Sequence, residues 1–197
     1  MRAVIDELTE HGYPGTTVER VAARAGISKT TIYRRWRSLD GLLADVMAEL
    51  AQQRIPVPDA GDLGSDLRAL ARSVVASVRD PAISAAFASI VAAAVQDPAA
   101  RDVLSRFLAV RVAAMTTIID RAARRGELPP GTDAAAVIET LTALIYYRLF
   151  IAGDPPGQDV ADGAAAIAAA AARAGALARK PRSGDGRRTR PGSPRRA

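Results

Sequence analysis

The sequence predicts an all-α fold in two helical parts, and three observations carry that prediction. Apolar residues make up 49% of the chain but aromatics only 4%, and alanine dominates the apolar set. Such small side chains favour helix and let helices pack closely. Apolar positions recur at helical spacing along most of the chain. Breakers at Asp80-Pro81, Asp97-Pro98, Pro129-Pro130-Gly131 and Asp154-Pro155-Pro156-Gly157 divide these stretches. No run of alternating β-branched residues argues for a sheet. A chain of 197 residues suffices for one or two small domains with a buried core.

Taken in order, residues 4–11 read as a helix with Val4, Ile5 and Leu8 on one face. Gly12 ends it, and Pro14-Gly15 make a turn. Thr16 and Glu19 have the spacing of a capping box. Val18, Val21, Ala22 and Ala25 follow on one helical face. Gly26 suits the left-handed end of that helix, with Ile27 turning inward. Ser28 caps the next helix, Lys29 to about Trp36, whose Ile32 and Trp36 lie four apart and point into the core. Lys29, Thr30, Tyr33 and Arg34 fall on the exposed side. A longer helix runs to about Arg54. These residues, 1–54, form an N-terminal three-helix domain containing a helix-turn-helix. Residues 55–61 are a linker. Helices at about 62–79, 81–95, 99–126, 133–152 and 160–178 form a second helical domain over 62–178.

The net charge of +6 is unevenly distributed. Residues 179–197 carry eight cations and one acid, net +7, which leaves the other 178 residues at −1. The high isoelectric point thus belongs to a tail rich in Arg, Gly, Pro and Ser, expected to be disordered. Within the folded part, residues 28–37 hold Lys29, Arg34, Arg35 and Arg37 and no acid. A local basic cluster of this kind is an electrostatic footprint for nucleic acid, and the second helix offers donors where a major groove could receive them.

Enzyme chemistry finds no foothold. The chain has no cysteine, so neither disulfides nor thiolate metal sites form, which suits a reducing cytoplasm. His11, the only histidine, sits at a helix end, where it favours the dipole. Asp59, Asp62 and Asp66 read as a linker and a helix N-terminus. No carboxylate dyad, glycine-rich phosphate loop or serine nucleophile motif is present. No metal and no cofactor is expected. The longest apolar run, around 143–152, is short for a span of roughly 20 residues and contains Arg148. The first residues lack the uncharged stretch of a signal peptide. The expected location is cytoplasmic, with no membrane partner.

The segment from Thr16 to Trp36, TTVERVAARAGISKTTIYRRW, resembles the DNA-binding segment of the TetR/AcrR family of transcriptional regulators. Glu10-His11-Gly12-Tyr13 before it and Ser38-Leu39-Asp40-Gly41-Leu42-Leu43 after it are also similar. Arg125–Pro130 and Tyr146–Gly153 resemble a C-terminal domain type found in part of that family, so the likeness covers about residues 3–178. It implies an all-helical homodimer, usually a repressor, released from a palindromic double-stranded DNA operator by a small-molecule effector. It places Lys29, Thr30 and Tyr33 at the major groove, and Thr17, Thr31, Tyr33 and Arg35 at phosphates. Arg34 reaches either, and Ser28 caps the reading helix. Two departures stand out. The phosphate-contacting Lys that often opens the family's fourth helix is replaced by Leu39, with Arg37 as substitute, and the first helix is shorter than usual.

An effector site would lie in the second domain, where Phe87, Phe107, Met115, Tyr146, Tyr147 and Phe150 are the few large side chains of an alanine-rich bundle. Plain core packing is the alternative for each. By resemblance, the last two helices, about 133–152 and 160–178, would form the dimer interface, and the Ala-rich face of 164–176 supports this, since small side chains let helices approach closely. Two other classes remain: a helical adaptor whose helix-turn-helix is structural, and a non-specific nucleic-acid binder driven by the tail.

Overall fold

Hydroxyl and carboxylate side chains set where the helices begin. The structure, a computed structural model, describes residues 1–178; the basic tail 179–197 lies outside them. Among the described residues the α-helices are α1 (Arg2–Gly15), α2 (Val18–Ala25), α3 (Lys29–Trp36), α4 (Leu39–Arg54), α5 (Leu63–Val78), α6 (Pro81–Ala94), α7 (Pro98–Arg124), α8 (Ala134–Tyr147) and α9 (Gln158–Arg173). From α2 to α8, each starts behind a Thr, Ser or Asp whose side-chain oxygen accepts a first-turn N–H. A π-type turn, Arg148–Ala152, prolongs α8. No strand occurs among the described residues.

Local details depart from the sequence reading. The cap of α2 is Thr17, which accepts the Arg20 N–H at 3.2 Å. Thr16 is buried, and its hydroxyl instead donates back to the Gly12 carbonyl at 2.7 Å. Gly12 does break α1, with φ 65° and ψ 178°, but helical turns resume through Gly15. Ile27 is exposed, because the left-handed Gly26 turns the chain so that the Ile27 N–H, not its side chain, returns to α2 at the Ala22 carbonyl. Ala25 is exposed as well.

One apolar core runs through the whole molecule. α1 lies against α6, α4 against α7, and α9 against both α5 and α8. Leu43, Met47 and Leu50 of α4 share that core with Leu67, Leu70 and Val74 of α5 and with Leu141 and Ile145 of α8. The alanine face of α9, offered by the sequence as a surface for close approach between copies, is largely turned inward. Ala161, Ala164, Ala165, Ala168, Ala169 and Ala172 are all buried within the chain.

Polar clamps tie the far end of the bundle. Glu127 accepts the Leu63 N–H at 2.9 Å and the Arg125 guanidinium at 2.6 Å, with Arg173 at 3.5 Å. Burial works to raise the Glu127 pKa, but these donors outweigh it and hold the carboxyl below its usual range. Asp66 is fully buried and accepts the Ala60 N–H at 2.6 Å, with Arg125 at 3.7 Å.

The apolar stretch in the last third is longer than the sequence reading gave. Ala134–Ala152 spans 19 residues with mean hydropathy 1.5, enough by length and composition to cross a bilayer. One side of it, Val137, Ile138, Leu141 and Ile145, packs into the core. The other leaves Tyr147 and Ile151 exposed, next to Arg148.

Leu141→Ala should lower stability by about 2–5 kcal/mol, since the side chain is fully enclosed. Val95→Ala, on the surface, should stay within about 0.5 kcal/mol. Thermal unfolding followed by circular dichroism separates the two.

Candidate nucleic-acid interface

The N-terminal head is assembled around α3. α3 is short, and Ile32, at 1% exposure, is its one buried side chain. Trp36 is only half-buried, which corrects the expectation of a core indole. Its Nε1–H donates to Asp45 of α4 at 3.0 Å, and the Arg35 guanidinium lies 4.6 Å from its ring centroid. α4 crosses close to the end of α3. A Cβ on Gly41 would come within 2.7 Å of the Trp36 carbonyl oxygen, so that approach requires glycine. Tyr13 fixes the other side of this corner, its hydroxyl donating to Asp40 at 3.0 Å. Burial, then the Asp40 hydrogen bond, push the Tyr13 pKa far above its ordinary value. α2 is locked to α1 by Arg24, which donates to Glu7 and Glu10 at 2.7 Å each.

The sequence-predicted residues gather on one side of this head. Lys29, Thr30, Tyr33 and Arg34 are all exposed, Tyr33 at 47%. Thr30, Tyr33 and Arg34 lie away from Ile32, and Lys29, three residues before it, flanks that face. Ser28 caps α3 by accepting the Thr31 N–H at 3.2 Å, and its Oγ also meets the Thr31 hydroxyl at 3.0 Å. Thr17 stands exposed at the N-terminus of α2. Arg37 closes α3 with φ 60°, the only left-handed non-glycine residue among the described residues. Arg34 and Arg37 have no ion partner among the described residues, whereas Lys29 is paired with Glu19 of α2 at 3.1 Å. Two helix N-termini, exposed hydroxyls and the exposed cations Lys29, Arg34 and Arg37 suit a phosphate backbone and a groove, while Arg35 lies over Trp36 in a groove that reaches α7.

The expected effector residues sit elsewhere, between α4, α5, α6, α7 and α8. Phe87 meets Phe107, Tyr146 and Phe150 edge-on, with ring centroids 5.5, 5.5 and 5.4 Å away. Two small adjoining cavities of about 30 Å³ each flank this cluster. Phe87, Phe107 and Tyr146 line the first; Phe107, Met115 and Tyr146 line the second. Tyr147 lines neither and is 55% exposed. Phe150 supports the cluster from behind. The sequence reading missed Arg111, which lines the second cavity at 5% exposure. Its signal was positional: it falls on the stripe Phe107, Met115 and Ile119, at helical spacing. Among the described residues no group of His, Asp or Glu gathers where a metal ion could be held.

Fold and exposed face together define a helix-turn-helix, DNA-binding transcription regulator. The family described as bacterial regulatory proteins, tetR family, matches residues 1–46, and the tetracyclin repressor-like C-terminal domain matches residues 57–168. The chain therefore belongs to the TetR family of transcriptional regulators, whose members are regulators and not enzymes. It is similar to the HTH-type transcriptional regulator AqdR of Rhodococcus erythropolis, 32% identical over 145 residues covering 73% of this chain and 69% of that protein. With the HTH-type regulator YdeS of Bacillus subtilis the identity is 29% over 154 residues, 78% of each chain. The crystal structure of the TetR family regulator SCO0332, 26% identical, superimposes with a TM-score of 0.67 over 85% of this chain and 93% of that one.

Trp36 is the only tryptophan, so its fluorescence reports on the head alone. Gly41→Ala should shift that emission to the red and weaken DNA binding while leaving helical content nearly unchanged. An unaltered spectrum would mean that the contact with the Trp36 carbonyl is not tight.

Proposed function

We propose that this regulator is a repressor that binds a palindromic operator as a homodimer and is released by a small-molecule effector. The observation that carries the reading is the exposed face of α3, with Lys29, Thr30, Tyr33 and Arg34 held in fixed relation by the buried Ile32. Lys29, Thr30 and Tyr33 read bases, Arg34 reaches base or phosphate, and Thr17, Thr31, Arg35 and Arg37 hold phosphate. Ser28 keeps the start of α3 in shape. A head this small makes few base contacts, so useful specificity needs two heads on one duplex, and a two-fold dimer supplies them. Acting on DNA places the protein in the cytoplasm.

The surfaces available for dimerisation are on α8 and α9. Tyr147, Ile151 and Ile167 are 55%, 73% and 56% exposed, a costly arrangement for a monomer. With the alanines of α9 already used inside the chain, these larger residues carry the contact. The effector occupies the cavities beside Phe87, Phe107, Met115, Tyr146 and Phe150. Tyr147, by its exposure, is reassigned from effector to dimer contact.

Tyr33→Ala should cost about 1–3 kcal/mol at one base position of the operator. Arg37→Ala should weaken all duplexes alike and lower the salt slope by roughly one unit. Titrations of operator and scrambled DNA at several salt concentrations distinguish the two; equal binding by both variants and the parent would end the assignment. Glu19→Gln, which frees Lys29 and removes an acid from the face, should tighten binding to any duplex.

Ile167→Glu should yield monomers in light scattering, with operator preference lost although α3 is untouched. A variant that stays dimeric would move the interface away from α9.

A further inference from the structure

Arg111 is a charge in the wrong place for packing alone. It lies on α7 with 5% exposure, facing a cavity lined otherwise by Ile55, Val74, Phe107, Leu108, Val112, Met115, Ile138, Thr142 and Tyr146. Among the described residues its one hydrogen bond runs from Nη2 to the Ile55 carbonyl, at 2.9 Å, where α4 ends, and its buried Nε meets no partner there. Asp45 and Glu49 line an outer groove that also reaches Arg111, yet neither pairs with it among the described residues. Burial lowers the Arg111 pKa, but an arginine remains charged in any case. Beside it, burial pushes the Tyr146 hydroxyl up to about 12, so it stays a neutral donor.

A buried cation without a counter-ion is among the more unfavourable arrangements in a protein interior, and removing it for an apolar residue is often stabilising. Its presence in a cavity asks for an anion. The guanidinium fork matches a planar carboxylate, to which it can give two parallel N–H bonds. The remaining walls are aliphatic and aromatic, which suits an apolar body. Each cavity, at about 30 Å³, has room for little more than water, so anything larger enters by displacing side chains. Tyr146 and Phe107, which border both cavities, are the partition that would move.

We propose that Arg111 anchors the carboxylate of a small, otherwise apolar acid, which is the effector class of this regulator. This rests on the reading of the cavity as the effector site. The Tyr146 hydroxyl supplies a further donor to the same carboxylate. The acid draws Arg111 away from the Ile55 carbonyl and so loosens the end of α4, the helix that carries the head.

The test uses the full chain and two matched pairs of probes: octanoate with octanamide, and benzoate with benzamide. Thermal shift and calorimetry give affinities for the parent, Arg111→Met, Arg111→Lys and the cavity-filling Thr142→Phe. The acids should bind the parent about tenfold or more tighter than their amides, and Arg111→Met should abolish that preference. Arg111→Lys, which keeps charge but not the fork, should retain part of it and guards against a folding defect in the methionine variant. Acids and amides binding equally, with both blocked by Thr142→Phe, would overturn the acid assignment and leave the cavity as effector site. Binding unaffected by Thr142→Phe would overturn the cavity reading itself. No binding of either acid would overturn the proposal, as would an acid preference that survives Arg111→Met.

Discussion

An eight-residue helix does not hold its shape in water by itself, so everything α3 presents depends on Ile32. That one side chain is fully enclosed, and it fixes both the roll and the depth of the helix in the head. Trp36, packed against the core, and Thr31 are half-buried, and the remaining side chains face solvent. Because a helix is rigid over two turns, Lys29, Thr30, Tyr33 and Arg34 move as one body with Ile32. The same division separates folding from recognition. The exposed residues can change without disturbing the head, and the head can be held without reference to what they read.

The head is in turn an extension of the larger bundle. α4 begins beneath Trp36, where Gly41 lets it pass close to the end of α3, and it finishes at Ile55, held by Arg111 of α7. Between these points Leu42, Leu43, Val46, Met47 and Leu50 are buried, and no glycine or proline interrupts the helix after Gly41. α4 thus has no internal joint that could absorb a displacement at one end. α1 makes a second, independent connection by lying on α6. Repositioning of the head has to rotate α4 against α7 or slide α1 over α6, contacts that are mainly apolar but carry hydrogen bonds from Arg111 to the Ile55 carbonyl and from Thr9 to the Ala82 carbonyl.

Much of this organisation was legible because its signals are local. The cap at Ser28 and the breakers at Asp80-Pro81, Asp97-Pro98, Pro129-Pro130-Gly131 and Asp154-Pro155-Pro156-Gly157 set boundaries within a few residues of those observed. The face of α3 follows from the spacing of Ile32 and Trp36. What escaped was decided by contacts between elements. The reading of Trp36 as core rests on its four-residue spacing from Ile32, but its half-buried position depends on how α4 crosses. The choice of Thr17 over Thr16 as cap depends on Thr16 turning back to α1. The alanines of 164–176 mark a close contact correctly but do not say with which helix, and the partner is the chain's own α5 and α8. Arg111 was passed over because a charged residue in a helix is ordinarily solvated, although its place on the Phe107–Met115 stripe argued otherwise.

Composition also explains where the interior leaves room. Alanine-faced helices approach until their backbones nearly touch, so the contact of α9 with α5 and α8 leaves no space for a guest. The aromatic rings do the opposite. Phe87 meets Phe107, Tyr146 and Phe150 edge-on at about 5.5 Å rather than stacking, and edge-on rings hold their helices apart without filling every corner between them. The two cavities lie beside that cluster. A chain with 4% aromatics that places most of its phenyl and phenol rings at one point concentrates its unfilled space there. Arg111, joined to α4 by a single hydrogen bond, puts the one buried guanidinium among the described residues beside that space.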